Sequence, residues 1–289
     1  MDHRRPKPAS IFMSSLKCLC IAGFVSILPA LPAFAFQAAP SEPLQQLIHD
    51  VAYNEVHDRA QQSCWIYHVE KTVDGQTRSG EQVESSDGPV FRLFAIHGTP
   101  LTPDQTKQEE ARLAHLLSNP GEEKKVAEQH EQDEERLQRL TSLMPMAFLY
   151  EPEGSDGDRI TLRFSPDPNF RPPTFEARAF AGMAGTVVID AKQKRLIQLK
   201  GQLIHQVDFG FGLLGRIEKG GTFEIDRMPV SSTHWKTTQV SVHVSGHIIL
   251  FKSVSKQQDE KRSNFRSLPD GTALKQAEAL LSQSSQPAP

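Results

Sequence analysis

From about Gly185 to Phe265 the chain alternates apolar and polar residues over one segment after another, the period of strands that bury one face. Ile197, Leu199, Leu203 and Val207 share one parity, and Gln198, Lys200, Gln202 and Gln206 share the other. Val240, Val242, Val244 and Ile248 alternate in the same way with Gln239, Ser241, His243, Ser245 and His247. The breaks, at Asp190-Ala191-Lys192-Gln193, at Lys219-Gly220-Gly221 and at Ser245-Gly246, are too short for helical crossovers. Successive strands therefore pair antiparallel as a meander. This argues against a doubly wound nucleotide fold. It predicts an α+β chain built on a curved antiparallel sheet, a half-barrel covered by helices.

Residues 1–35 stand apart. Arg4, Arg5, Lys7 and Lys17 open the chain, Leu19 to Leu31 supply an apolar run, and Ala33-Phe34-Ala35 resembles a small-residue cleavage site. The pattern is that of a secretory signal peptide. A membrane anchor fits it less well, because the run is short and carries Pro29 and Pro32. Met13 is an alternative start. Loss of the segment removes four basic residues and Asp2, taking the formal charge from −3 to −6. Such a balance gives no reason to expect nucleic acid as a partner. Cys64 is then the one cysteine left, so an internal disulfide is excluded and a buried thiol is expected. The predicted location is periplasmic or secreted.

Within the remaining chain, residues 36–281 read as a single domain. Leu44, Leu47, Ile48, Val51 and Ala52 recur at helical spacing after Pro43. Ser63 to Thr72 alternates as a first strand, with Trp65, Tyr67 and Val69 on one face and Cys64, Ile66 and His68 on the other. Asp74-Gly75 turns it into a return strand, Thr77 to Val83, and Asp87-Gly88 leads to Val90–Ile96, which is apolar on both faces. Thr102-Pro103 then starts a helix that stops at Asn119-Pro120-Gly121, and a more highly charged helix extends from Glu122 towards Leu140. This segment, 102–143, reads as a solvated helical hairpin inserted in the sheet, with a few leucines to dock it. Strands resume at Met146–Glu151 and Ile160–Phe164. Helical turns follow at Phe175–Ala181, and after the meander a short helix at Thr272–Leu281 and a disordered tail, 282–289.

Several local patterns tempt a chemical reading. Gly210-Phe211-Gly212-Leu213-Leu214-Gly215 has the spacing of a dinucleotide loop, but strand pattern rather than a helix follows it, so the phosphate-binding helix terminus is missing. Asp208-Phe209-Gly210 spells a kinase tripeptide without the other kinase signatures. His243 and His247 lie on one strand face about 13 Å apart, too far to share an ion unless a bulge intervenes at Gly246. No Gly-x-Ser-x-Gly, His-Glu-x-x-His or Cys-x-x-Cys occurs. A hydrolase would require His205, His243 and Asp208 to converge. No catalytic residue, metal ligand or cofactor is assigned.

What remains is apolar excess. Leu199, Leu203, Phe209, Phe211, Leu213, Val242, Val244 and Phe251 are the candidate lining of the concave face, together with Met183, Val187, Ile189, Phe223 and Ile249. The same residues serve equally for a ligand pocket and for a face filled by helices. Gly185-Thr-Val-Val-Ile-Asp190, Arg195-Leu-Ile-Gln-Leu-Lys-Gly-Gln-Leu203 and Val242-His-Val-Ser-Gly-His-Ile-Ile-Leu-Phe251 resemble the strand pattern of exported lipoprotein-carrier proteins of the LolA and LolB type. The likeness spans roughly 44–97 and 146–265; the charged hairpin departs from it. It implies an incomplete barrel that holds acyl chains under a helical lid, without a cofactor. The expected partner is a lipid or an acylated protein. The alternative is an envelope interaction module in which the hairpin engages a protein and the sheet holds no ligand.

Overall fold

The computed structural model describes residues 43–60, 63–174, 176–209, 215–248 and 257–283. The expected signal peptide, the lead to Glu42 and the tail beyond Gln283 lie outside them, as does most of the Gly210–Gly215 motif. Helix α1 (Leu44–Ala60) precedes the strands β1 (Trp65–Val73), β2 (Gln76–Ser85), β3 (Gly88–Ile96) and the short β4 (Thr99–Pro100). Helices α2 (Pro103–Ser118) and α3 (Pro120–Ala147) come next, then β5 (Phe148–Asp156), β6 (Arg159–Pro166) and a 3-10 helix, Glu176–Gly182. Strands β7 (Met183–Asp190), β8 (Arg195–Leu203), β9 (Val207–Phe209), β10 (Gly215–Ile217), β11 (Thr222–Pro229), β12 (Trp235–His243), β13 (Gly246–Ile248) and β14 (Gln257–Ser267) lead to α4 (Leu274–Gln283).

The sheet is antiparallel, 11-stranded and open, in the order β4-β3-β2-β1-β14-β12-β11-β8-β7-β6-β5. Strands β13, β10 and β9 form a separate three-stranded sheet. The N-terminal hairpins and the later meander are joined by the last strand, β14, which pairs with β1 on one side and β12 on the other. The Asp74-Gly75 turn has both residues at positive φ, 49° and 80°, which matches the right-handed twist of a tight hairpin. The expected strand from Val240 to Ile248 is divided: β12 ends at His243, and Gly246, at φ 146°, redirects the chain into the small sheet.

One parity required correction. Val188 pairs with Gln198 and Ile189 with Leu196, so Ile197 is an extra residue in β8. A bulge of this kind reverses which side chains face inward on its two sides. Leu196 is accordingly buried against Ile189, and Leu199 and Leu203 keep the inner face beyond the bulge. Ile197 does not share it.

Helices cover both faces of the sheet, in different places. On one face α1 and the end of α3 bury Leu47, Ile48, Val51 and Ala147 against Phe148, Leu162, Phe164, Val187, Ile189 and Leu196. On the other, α2 and α4 bury Leu113, Leu274, Ala277 and Leu281 against Ile66, Val83 and Val90. Neither long helix is a detached arm. Helix α2 starts with a capping box, in which Thr102 and Gln105 satisfy each other's backbone N–H. Its buried Glu109 accepts from Leu93 N at 2.9 Å, and Arg112 donates to Phe91 O at 2.6 Å. These side chains bond the backbone of β3 where the two-residue β4 does not reach, protecting that edge. At the opposite edge, β5 carries Pro152 and exposed Glu151, which impede pairing with another chain.

Helix α3 runs through 28 residues, past the expected end near Leu140 and through Pro145. Proline costs the helix one hydrogen bond. Tertiary partners take over the carbonyls of this last turn: Tyr150 Oη donates to Met144 O at 3.0 Å and Gln45 Nε2 to Pro145 O at 2.7 Å. The following strand therefore begins at Phe148 rather than Met146.

Candidate functional site

A cavity of about 440 Å³ lies between α1, α3 and the 3-10 helix on one side and strands β5–β8 and β10–β12 on the other. Its walls are overwhelmingly apolar. Ile48, Val51 and Ala52 come from α1, Leu137, Leu140 and Met144 from α3, and Phe180 from the 3-10 helix. The sheet contributes Phe164, Val187, Leu199, Leu203, Phe223, Ile225 and Val242, placed on this face by the two-residue strand period, and Val244 follows just past the end of β12.

A single row of the ladder explains how this face makes room. Phe164, Gly185, Gly201, Phe223 and Val242 are paired in succession across β6, β7, β8, β11 and β12. A Cβ on Gly185 would sit 2.0 Å from Lys200 O, and one on Gly201 would sit 2.4 Å from Ala184 O and 2.7 Å from Phe223 Cζ. The two strands approach too closely here for any other residue. Phe164 and Phe223 are three strand spacings apart, about 14 Å in a flat sheet, yet their ring centroids lie 6.5 Å apart. The rings lean together over the two glycines.

Of the residues singled out in the sequence, Leu199, Leu203, Val242 and Val244 line this cavity, as do Met183, Val187, Ile189 and Phe223. Phe209 has its backbone in β9, but its side chain lies outside the described residues, as do Phe211, Leu213, Ile249 and Phe251. The wall from α3 was missed, because its leucines are thinly spread among charges and mimic a solvated helix.

Also missed was the polar end of the cavity. Glu55 and Asp58, one turn apart on α1, meet Arg195 at the start of β8 and Arg227 on β11. All four side chains are at least nine-tenths buried. Arg195 Nε donates to Glu55 Oε1 at 3.0 Å, and its terminal nitrogen bonds Asp58. Arg227 lies 2.7 Å from Glu55 Oε2 and 3.3 Å from Asp58, and donates to Trp235 O at 2.8 Å. Leu196 N adds a bond to Glu55 Oε1 at 3.1 Å, and the Arg195 guanidinium rests over the Trp235 ring. The quartet thus pins α1 to two strands with matched charge. Only the continuation of the α1 apolar stripe, Ile48, Val51, Ala52, Glu55, hinted at burial of Glu55.

Beyond β14 the same sheet face carries a different network. Lys71, Glu260 and Val240 share a row of the ladder, which places Tyr67, Val69 and Arg262 on the cavity's side of the sheet. Tyr67 Oη donates to Glu84 at 2.9 Å and accepts from Gln82 at 2.9 Å, and the Arg262 guanidinium lies over its ring. Burial, aided by Glu84, pushes the Tyr67 hydroxyl pKa well up. Burial opposes ionisation of Glu260, but Arg262 and Lys71 outweigh it and hold that carboxyl below its usual value.

The residues considered for catalysis hold other partners. His243 Nε2 lies 2.9 Å from Asp259, to which Ser241 Oγ also donates at 2.5 Å. Serine and histidine both bond the carboxylate, so the histidine is not placed to take the serine proton. Asp208 is paired with Arg216 at 2.7 Å, and His205 is exposed. Among the described residues no group of three or more His, Cys, Asp or Glu forms a metal cage, and the His247 side chain lies outside them. No helix of the described residues is long and apolar enough to cross a membrane. No family profile, no curated protein and no solved structure matches the chain.

Proposed function

We propose that this is an exported, non-catalytic protein that reversibly binds a lipid or an acylated partner in the cavity, with the sheet curling around it as a half-barrel. The observation that carries the reading is the cavity itself. Its 440 Å³ falls within the about 300–1,000 Å³ of ligand sites, and residues from α1, α3 and seven strands turn apolar side chains into it. The Gly185–Gly201 pair supports the curl, since glycines facing inward on neighbouring strands are the device by which sheets bend sharply. Binding is by desolvation: each acyl CH2 buried is worth about 0.8 kcal/mol. Helix α3 forms a lid wall, and its movement sets release. The likeness to LolA- and LolB-type carriers points the same way and makes the periplasm the proposed location. An acylated protein is the proposed cargo or source.

Native mass spectrometry of the chain purified from a bacterial envelope tests this directly. A near-stoichiometric acyl species is expected, and Thr141→Phe, which fills the cavity from α3, is expected to lose it while remaining folded. A bare polypeptide mass that stays bare when lipid is added would sink the reading.

A further inference from the structure

The polar end of the cavity constrains what its occupant carries. Among the described residues three charged ones touch the cavity: Glu55, Arg227 and Glu176. Glu176, on the 3-10 helix, faces Arg136 of α3 at 3.7 Å, whereas Glu55 and Arg227 belong to the buried quartet and are joined in the lining by Thr237 of β12. The quartet holds two carboxylates and two guanidinium groups, so it is electrically balanced without a ligand. Glu55 Oε1 takes the bonds from Arg195 and Leu196. Glu55 Oε2 is buried and ion-paired with Arg227 at 2.7 Å.

We propose that the cavity selects a single-chain amphiphile whose polar end is uncharged, a hydroxyl or an amide, seated at Thr237 beside the Glu55–Arg227 pair. The inference rests on the lipid-binding reading and names the ligand class for it. An uncharged polar end can bond the Thr237 hydroxyl and leaves the quartet balanced. A carboxylate or phosphate would bring an excess negative charge beside Glu55 and Asp58. An ammonium would bring an excess positive one beside Arg195 and Arg227. In either case a charge loses its hydration and gains no free counter-ion, a cost that a hydrogen bond does not return.

Displacement of the uncharged fluorophore N-phenyl-1-naphthylamine from the full chain at pH 7.5 tests the proposal. The competitors are 1-dodecanol, dodecanoate and dodecylammonium, each below its micelle concentration. Dodecanol is expected to displace the probe at a concentration at least about tenfold lower than either ion, roughly 1.4 kcal/mol of discrimination. Equal displacement by all three would overturn this proposal and leave the cavity reading standing, because the charged ends would then be reaching water. Failure of the probe and of all three to bind would overturn both. Glu55→Gln, which leaves the quartet one positive charge in excess, should shift preference towards dodecanoate. Arg227→Gln should shift it towards dodecylammonium. Folded variants with an unchanged order of preference would count against the proposal, and if neither variant folds, the wild-type series decides.

Discussion

On the β12 side of β14, Phe223, Val242 and Leu199 face a cavity; on its β1 side, Tyr67 and Val69 on the same sheet face are sealed at 1% and 3% exposure. The two regions share one register and differ in what fills the inward positions. Around Tyr67 the gaps are taken by Phe265, Phe91 and Val230 and by the aliphatic lengths of charged side chains. Around Phe223 the row holds two glycines, Gly201 and Gly185, between its ring and that of Phe164, and leaves the space beside them to the cavity. Alternation therefore selects a face, whereas the sizes of neighbours along a row decide whether that face is core or container.

The largest expected effect is on the quartet that closes the cavity end. Arg227→Met should cost about 3–5 kcal/mol, because it strands the buried Glu55 and Asp58 with one cation between them. Urea unfolding measures it, and a loss below about 1 kcal/mol, on the order of a surface pair, would show that α1 is held by its apolar stripe alone. Next, the two regions should answer truncation differently. Tyr67→Ala opens a void in a packed region and should cost about 3–5 kcal/mol, whereas Leu199→Ala only widens a space already present and should cost about 1–2 kcal/mol. Equal losses would mean that the cavity collapses in solution.

The smallest effect is in acid. Because the Glu260 carboxyl is held below its ordinary 4.5 in the folded protein, the unfolded chain binds a proton there more readily. The stability this group contributes is present above about pH 4.5 and is lost as pH falls through the lower folded value. Glu260→Gln should flatten that part of the urea midpoint against pH; an unaltered slope would assign the acid sensitivity to other carboxylates, such as Asp259. That group is held low by its bonds to Ser241 and His243.

Much of the architecture was legible in the residues. The α1 stripe, the Asp74-Gly75 and Asp87-Gly88 turns, the α2 start at Thr102-Pro103 and the alternation of Val240, Val242 and Val244 follow from local rules that operate within a few residues. So did the four described candidates, Leu199, Leu203, Val242 and Val244, because a strand assigns its faces by parity alone. Ile197 shows where such a rule ends: a bulge is settled by the partner strand, and β8 by itself carries no sign of it.

Distance in the chain explains the rest. Pairing of β14 with β1 joins residues nearly two hundred positions apart. The extension of α3 through Pro145 depends on Tyr150 and Gln45, and the quartet brings α1 to arginines about 140 and 170 positions further along. Most strands and turns, and the sidedness of a strand away from a bulge, could be read directly from the residues, since these depend on neighbours along the backbone. That α3 walls a cavity, that Gly185 meets Gly201, and that four charges are buried together emerged only on assembly, because each is a contact whose energy exists once distant segments have excluded water between them.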